Sequence, residues 1–179
     1  MDTRKVLYKL FGIVAVKALV SLALIGSGVV RFRRPLEEGA EAPRNLLVTD
    51  QDGKPLDLGE ILQEPGWSVI FFYPRAGSPG CTQQVCNLRD GFTELRDKGV
   101  RVFGVSGDSV AAQGAFKEKQ RLPFTLIADP RGEVARAFGI SRVGPLFPRH
   151  TFLVRDGKIV YRQLWAKPET QAEEILERV

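Results

Sequence analysis

An α/β domain on a central mixed sheet flanked by helices, preceded by an N-terminal hydrophobic helix, is the architecture this sequence predicts. Three observations lead there. Short apolar runs of strand length, "WSVIFFY" (67–73) and "VRVFGVS" (100–106), alternate with stretches whose apolar residues recur at helical spacing. Near the end, two strand-like runs meet at Asp156-Gly157, a hairpin signal. Alternating strands and helices favour parallel pairing and a hairpin adds antiparallel strands, so the sheet is expected to be mixed. Finally, an apolar stretch from Leu10 to Val30 is set apart from the rest by "RPLEEGAEAPRN", a linker-like segment of Pro, Gly and Glu.

The N-terminal stretch has 21 residues, no acid and one charge, Lys17. About 20 apolar residues span a bilayer. Twelve of them are Leu, Ile, Val or Phe. Each favours insertion by about 0.3 to 0.6 kcal/mol, which together outweighs about 2.5 to 3.5 kcal/mol for the lysine. A membrane-associated protein with a single-pass anchor at residues 10–30 is therefore expected. Arg4, Lys5 and Lys9 also suit a signal peptide, with export after cleavage. The cleavage site is poor, however: "RFRR" follows the run, and the Ala-x-Ala at Ala40–Ala42 lies far downstream. Polar residues in the run do not gather on one face, which speaks against a surface helix. Three basic residues on each flank give no orientation. The expected division is 1–38 for hydrophobic segment and linker, and 39–179 for the α/β domain.

Within that domain, "LLVTD" and "QDGKPLDL" read as a hairpin about Asp52-Gly53, followed by the strand 67–73. Val85, Leu88, Phe92 and Leu95 place a helix over 81–98. The strand 100–106 is followed by a helix from Ser109 to Lys119 that stops before "RLPF". A short strand "FTLIA", a short helix "EVARAFGI", the hairpin 150–165 and a helix from Thr170 complete the order.

Composition excludes several functions. With 44% hydrophobic and 26% charged residues the chain can build a core. Of 26 basic and 21 acidic residues, seven and four precede Pro43, which leaves 19 and 17 scattered over the body. That balance makes no footprint for nucleic acid. Two cysteines cannot form a disulfide framework, and with one histidine they cannot supply four zinc ligands. Redox chemistry is the main use left for the pair, with a structural staple as the alternative.

Both cysteines fall in "PRAGSPGCTQQVC", where the strand 67–73 gives way to a helix. A cysteine just after Pro79-Gly80 sits near unpaired backbone N–H groups and the positive end of the helix dipole. Both stabilise a thiolate, the nucleophilic form. Cys81 is thus the expected attacking sulfur, with Ser78 beside it and Arg75 or a distant arginine adding charge. Cys86, five positions on, would have its Cα roughly 8.6 Å away in an ideal helix. A disulfide needs less than about 7 Å. Bonding would require the first turns to unwind, which suits a cycle better than a static staple.

The segment "FFYPRAGSPGCTQQVCNLRD" resembles the active-site segment of the peroxiredoxins, specifically the bacterioferritin-comigratory or Q-type branch. Pro74, Ser78 and Cys81 match its pattern Pro-x-x-x-Thr/Ser-x-x-Cys. "GAEAPRNLLVTDQDGKPLDL", the region 100–140 and "PRHTFLVRDGKIVYR" are similar to further blocks of that family, so the likeness runs from about residue 39 to the C-terminus. It implies a thioredoxin-like fold and a thiol-dependent peroxidase acting on hydrogen peroxide and organic hydroperoxides, with no metal or bound organic cofactor needed. Cys81 would become a sulfenic acid, Ser78 would hydrogen-bond the peroxide, Pro74 would shield the sulfenate and Arg149 would stabilise developing charge. Cys86 would resolve the sulfenate as an intramolecular disulfide, which thioredoxin or a similar dithiol would reduce. A monomer or weak dimer is expected. Ser78 stands where threonine is commoner, which keeps the hydroxyl and loses the methyl that restricts its rotamer.

Other residues read as structural: His150 without a carboxylate motif, Arg89 and Asp90 as a helix-surface pair, and Trp67 and Phe71 in the core strand. Phe72, Tyr73 or Trp165 would be placed to line a pocket for an organic group. A membrane-anchored thiol-disulfide oxidoreductase is the competing enzyme class, although such proteins normally use Cys-x-x-Cys. A stapled binding domain is the non-enzymatic alternative.

Overall fold

Alternation along one strand decides where everything else packs. The computed structural model describes residues 33–179, and in it β3 (Trp67–Phe72) is buried on both faces after its first residue. Ile70 and Phe72 face one cluster, with Phe138, Phe147 and Phe152. Val69, Phe71 and Tyr73 face the other, with Cys81, Val85, Leu88 and Leu95. Side chains two apart share a face of a strand, so five consecutive apolar residues supply both cores.

Among the described residues the sheet has seven strands: β1 (Leu47–Asp50), β2 (Pro55–Asp57), β3, β4 (Val100–Ser106), β5 (Thr125–Ala128), β6 (His150–Arg155) and β7 (Lys158–Leu164). Their order is β2-β1-β5-β4-β3-β6-β7. β4 is parallel to both β3 and β5, while β1 with β2, β1 with β5, β3 with β6 and β6 with β7 are antiparallel. The sheet is therefore mixed, as expected. Asp156 and Gly157 both have positive φ, 49° and 80°, the conformation a two-residue hairpin turn needs.

Among the described residues six helices flank it: α1 (Leu58–Gln63), α2 (Pro79–Asp90), α3 (Phe92–Asp97), α4 (Val110–Gln120), α5 (Glu133–Ala137) and α6 (Gln171–Leu176). The hairpin about Asp52-Gly53 forms as expected from β1 and β2, and α1 follows it in a stretch where the sequence predicts no element. Asp57 caps it by accepting from the Glu60 N–H at 2.9 Å, and Leu58 and Leu62 bury its inner face. The helix expected over 81–98 is two helices, broken at Gly91. A Cβ there would lie 2.7 Å from Cβ of Ala172, so α6 packs on the break. Asn87 docks α6 from beneath, accepting from Ala172 N–H and donating to the Glu169 carbonyl, each at 2.8 Å.

The linker-like segment lies against the body from Arg33 onward. Leu36 N–H donates to the Phe138 carbonyl at 3.1 Å, and Arg162 donates to the carbonyls of Pro35 and Leu36. The expected hydrophobic helix at 10–30 lies outside the described residues. Among those described, no helix is long and apolar enough to cross a membrane. The longest, α2, has 12 residues. At 1.5 Å per residue that is about 18 Å, against about 30 Å of hydrocarbon.

Candidate active site

β3 runs into a tight loop and then a helix. Tyr73 N–H still bonds to the Val105 carbonyl at 3.1 Å, after which Pro74 leaves the sheet and Gly77 turns with φ of 77°. Ser78, in extended conformation, is the N-cap of α2, and Pro79 is its first residue. Cys81 is thereby in the first turn, where backbone N–H groups have no partner in the helix. Its side chain is fully buried against the Val69, Tyr73 and Val85 side of the core.

Arg149, from the loop before β6, brings Nη2 to 3.7 Å from Cys81 Sγ. Gly80 leaves room for it, since a Cβ there would stand 3.2 Å from Nη2, a tight contact. The guanidinium is also aimed from behind. Its Nη1 donates to Gln84 Oε1, Gln84 donates to Gln171 Oε1 at 2.7 Å, and Gln171 donates to the Thr151 hydroxyl. Gln84, Gln171 and Thr151 are all buried, so this chain from α2 through α6 to β6 fixes the rotamer of the arginine.

A second network holds the loop. Asp108 accepts from the Ala76 N–H at 2.7 Å and from the Ser106 hydroxyl at 2.8 Å. Ser106 accepts from Gln113, which also donates to the Ile127 carbonyl and accepts from the Tyr73 hydroxyl. Burial, above all, pushes the Tyr73 phenol well above its usual range, so it stays a donor. Neither Gln84, Gln113, Gln171 nor Asp108 carries a signal in sequence, since an isolated amide or acid in a helix or loop reads as surface until its partners are known.

The expected site residues divide as follows. Cys81 and Arg149 meet. Ser78 donates its hydroxyl to the Arg75 carbonyl at 3.1 Å, and Pro74 is half-buried at the mouth of the loop. Arg75 itself is exposed and contributes its carbonyl, so the nearby charge is that of Arg149. Cys86 is part-buried, with Sγ 3.6 Å from Gln120 Oε1. Both thiols are free and α2 is continuous through them, the geometry of a reduced state.

Phe72 lies on the face of the sheet opposite Cys81, so alternation removes it as a pocket residue, whereas Tyr73 is on the cysteine's side. Trp165 is exposed, its ring T-shaped on buried His150 at 5.5 Å. Among the described residues no three His, Cys, Asp or Glu gather as a metal site.

Comparison with known proteins fits this geometry. Residues 39–162 match the AhpC/TSA family. Chloroplastic peroxiredoxin Q of Populus jackii is 36% identical over 141 residues, covering 76% of this chain and 65% of that protein. Peroxiredoxin bcp1 of Schizosaccharomyces pombe is 35% identical over 127 residues, 69% of this chain and 65% of its own. The chain thus spans just under two thirds of either relative. The crystal structure of peroxidoxin BcpB from Mycobacterium tuberculosis superposes with a TM-score of 0.72 at 31% identity, covering 79% of this chain and 95% of that one. The bacterioferritin comigratory protein of Xanthomonas campestris, studied for alkyl peroxide reduction, gives 0.71 at 27%, covering 80% and 96%. The fold is that of these thioredoxin-like peroxiredoxins.

The comparison also corrects the localisation. The plant relatives are named as chloroplastic proteins, and no described helix is long and apolar enough to cross a bilayer. The expectation of a membrane-associated, single-pass protein is overturned. What the matches establish, from residue 39 to residue 162 in sequence and over 79% of the chain in fold, is that this chain belongs to the AhpC/TSA family.

Proposed function

We propose that this protein is a thiol-dependent peroxidase for hydrogen peroxide and organic hydroperoxides, in which Cys81 attacks and Cys86 resolves. The observation that carries the reading is a buried sulfur in the first turn of a helix, 3.7 Å from a guanidinium whose rotamer is locked by buried amides, with a second thiol on the same helix. The Xanthomonas relative's alkyl peroxide activity supports the organic substrates. The peroxidase domain in this reading takes in residues 39–179.

The thiolate of Cys81 attacks the terminal peroxide oxygen. A sulfur–oxygen bond forms, the O–O bond breaks, and the leaving alkoxide or hydroxide takes a proton from the site. Arg149 stabilises the charge that moves from sulfur to the departing oxygen, because a cation in a water-poor site acts with little screening. Ser78 donates to the Arg75 carbonyl, so its lone pairs remain to accept the O–H of the peroxide. Pro74 limits access of water to the sulfenic acid. Cys86 then displaces hydroxide from the Cys81 sulfur, giving a disulfide and water, and thioredoxin or a similar dithiol reduces it.

Intact mass of the reduced chain after stoichiometric hydrogen peroxide tests this. The parent should lose two hydrogens, Cys86→Ser should gain oxygen, and Cys81→Ser should be inert. If all three stay reduced while a protein disulfide is exchanged, the chain is a thiol-disulfide oxidoreductase and the peroxidase reading is wrong.

A further inference from the structure

One residue of α4 receives two groups from successive turns of α2. Cys86 Sγ lies 3.6 Å from the side-chain oxygen of Gln120. Arg89, one turn further along the same face, donates Nη1 to the main-chain carbonyl of Gln120 at 2.9 Å. Gln120 is the last residue of α4, followed by Arg121 in the left-handed conformation at φ of 53°. Carbonyls of a last helical turn lack partners within their own helix, so Arg89 supplies one that Gln120 needs. Asp90 steadies the guanidinium, Nε to Oδ1 at 2.9 Å. Asp90 chiefly, and after it the neighbouring Cys86 sulfur, push the arginine's proton affinity up, in keeping with Cys86 and Arg89 sharing one small cluster.

We infer that Gln120 is a positioning residue for the resolving step: it latches Cys86 to α4 and thereby sets how readily α2 unwinds to let the second sulfur reach the first. The inference rests on the peroxidase reading above. In the intact helix the two Cα atoms stand roughly 8.6 Å apart, and a disulfide needs less than about 7 Å. Cys86 must therefore leave Gln120 before it can react. In that reaction the Cys86 thiolate attacks the Cys81 sulfur, the S–S bond forms and the S–OH bond breaks. The hydroxide takes up the proton that Cys86 gave, leaving as water; Cys86 is oxidised and the sulfenic sulfur reduced to the disulfide level.

The latch belongs to the barrier of this step alone. Attack of Cys81 on peroxide proceeds with α2 intact and does not involve Gln120. A tighter latch lengthens the life of the sulfenic acid, and a long-lived sulfenic acid meets a second peroxide and becomes sulfinic acid. The α2–α4 seam would then set how much peroxide the protein tolerates before it is lost to overoxidation.

Gln120→Ala and Gln120→Glu in the full-length chain test the inference. Gln120→Ala removes the acceptor of the Cys86 thiol and leaves the main-chain carbonyl of residue 120 for Arg89; Gln120→Glu keeps an acceptor. In the reduced protein without peroxide, amide exchange over 82–90 should quicken in Gln120→Ala while β3 is unchanged. In stopped-flow, sulfenate formation should match the parent, disulfide formation should be about two- to tenfold faster, as loss of one hydrogen bond implies, and sulfinate at excess peroxide should fall. Gln120→Glu should exchange and resolve no faster than the parent. A folded Gln120→Ala with parental exchange and resolution, or with slower resolution, overturns the latch. A parent that forms no sulfenate overturns the peroxidase reading instead, and the exchange data still decide whether Gln120 holds α2.

Discussion

Replacing Gln84 by leucine removes the one side chain that joins Arg149 to the buried amide of Gln171. Leucine has nearly the same volume, so no cavity opens at this fully buried position, and the change is almost purely one of hydrogen bonding. A bond to a charged donor contributes about 1.5 to 3 kcal/mol net and an amide pair about 1, so the folded state should lose about 2 to 4 kcal/mol. Without the Gln84 oxygen, the guanidinium is free to turn from the sulfur toward solvent. If about 1.5 to 2 kcal/mol of its alignment is lost, attack on peroxide should slow about 10- to 30-fold, since each 1.4 kcal/mol is a factor of ten. Urea unfolding of the reduced protein reads the first quantity, and stopped-flow sulfenate formation reads the second. Gln84→Glu, which keeps an acceptor for Arg149, should recover the rate to within about threefold of the parent, on the same arithmetic. A folded Gln84→Leu that attacks peroxide at the parental rate would refute the argument that the buried amides aim the arginine.

Asp108→Ala leaves the Ala76 N–H without its acceptor, so stability should fall by about 1 to 2 kcal/mol and peroxide attack should slow with the loosened loop, while Asp108→Asn should restore most of both. Denaturant midpoints and the first-step rate check this, and an unchanged first step in a destabilised Asp108→Ala would disconnect the network from the site. Burial holds the pKa of His150 below the ordinary histidine value of about 6.5. The unfolded chain therefore binds the proton first as pH falls. The stability from a neutral His150 is complete above about pH 6.5 and is lost as pH drops from there toward the lower folded value. Urea midpoints between pH 8 and pH 5 should decline less steeply in His150→Gln, which keeps an acceptor for the Trp165 N–H; equal slopes would assign the decline to other groups.

Much of the fold could be read in advance because its signals are local. "VRVFGVS" coincides with β4 from Val100 to Ser106, and Ser109 caps α4 as its position before an apolar run implies. Asp156-Gly157 turns the late hairpin because few other pairs tolerate positive φ twice in succession. α1 was hidden, since a six-residue helix with two buried leucines is too short to display a period. The break at Gly91 was hidden for another reason: glycine in a helical pattern reads as tolerable until Ala172, far along the chain, arrives to occupy the space of a side chain.

For the site, local signals suffice to put both sulfurs on one helix that begins just after a buried strand, because Pro79, Gly80 and the run 67–73 act through nearest neighbours. The sequence alone also sets the spacing of the two cysteines, and hence that they cannot bond without unwinding that helix. That Arg149 and not Arg75 reaches Cys81, and that Gln84, Gln171 and Thr151 aim it, follows from long-range packing. So does the hold of Asp108 on the loop and of Gln120 on Cys86. Those pairings join residues 20 to 87 positions apart. A polar side chain carries no mark of which distant partner will satisfy it, and it acquires one only when burial makes an unpaired group too costly to leave.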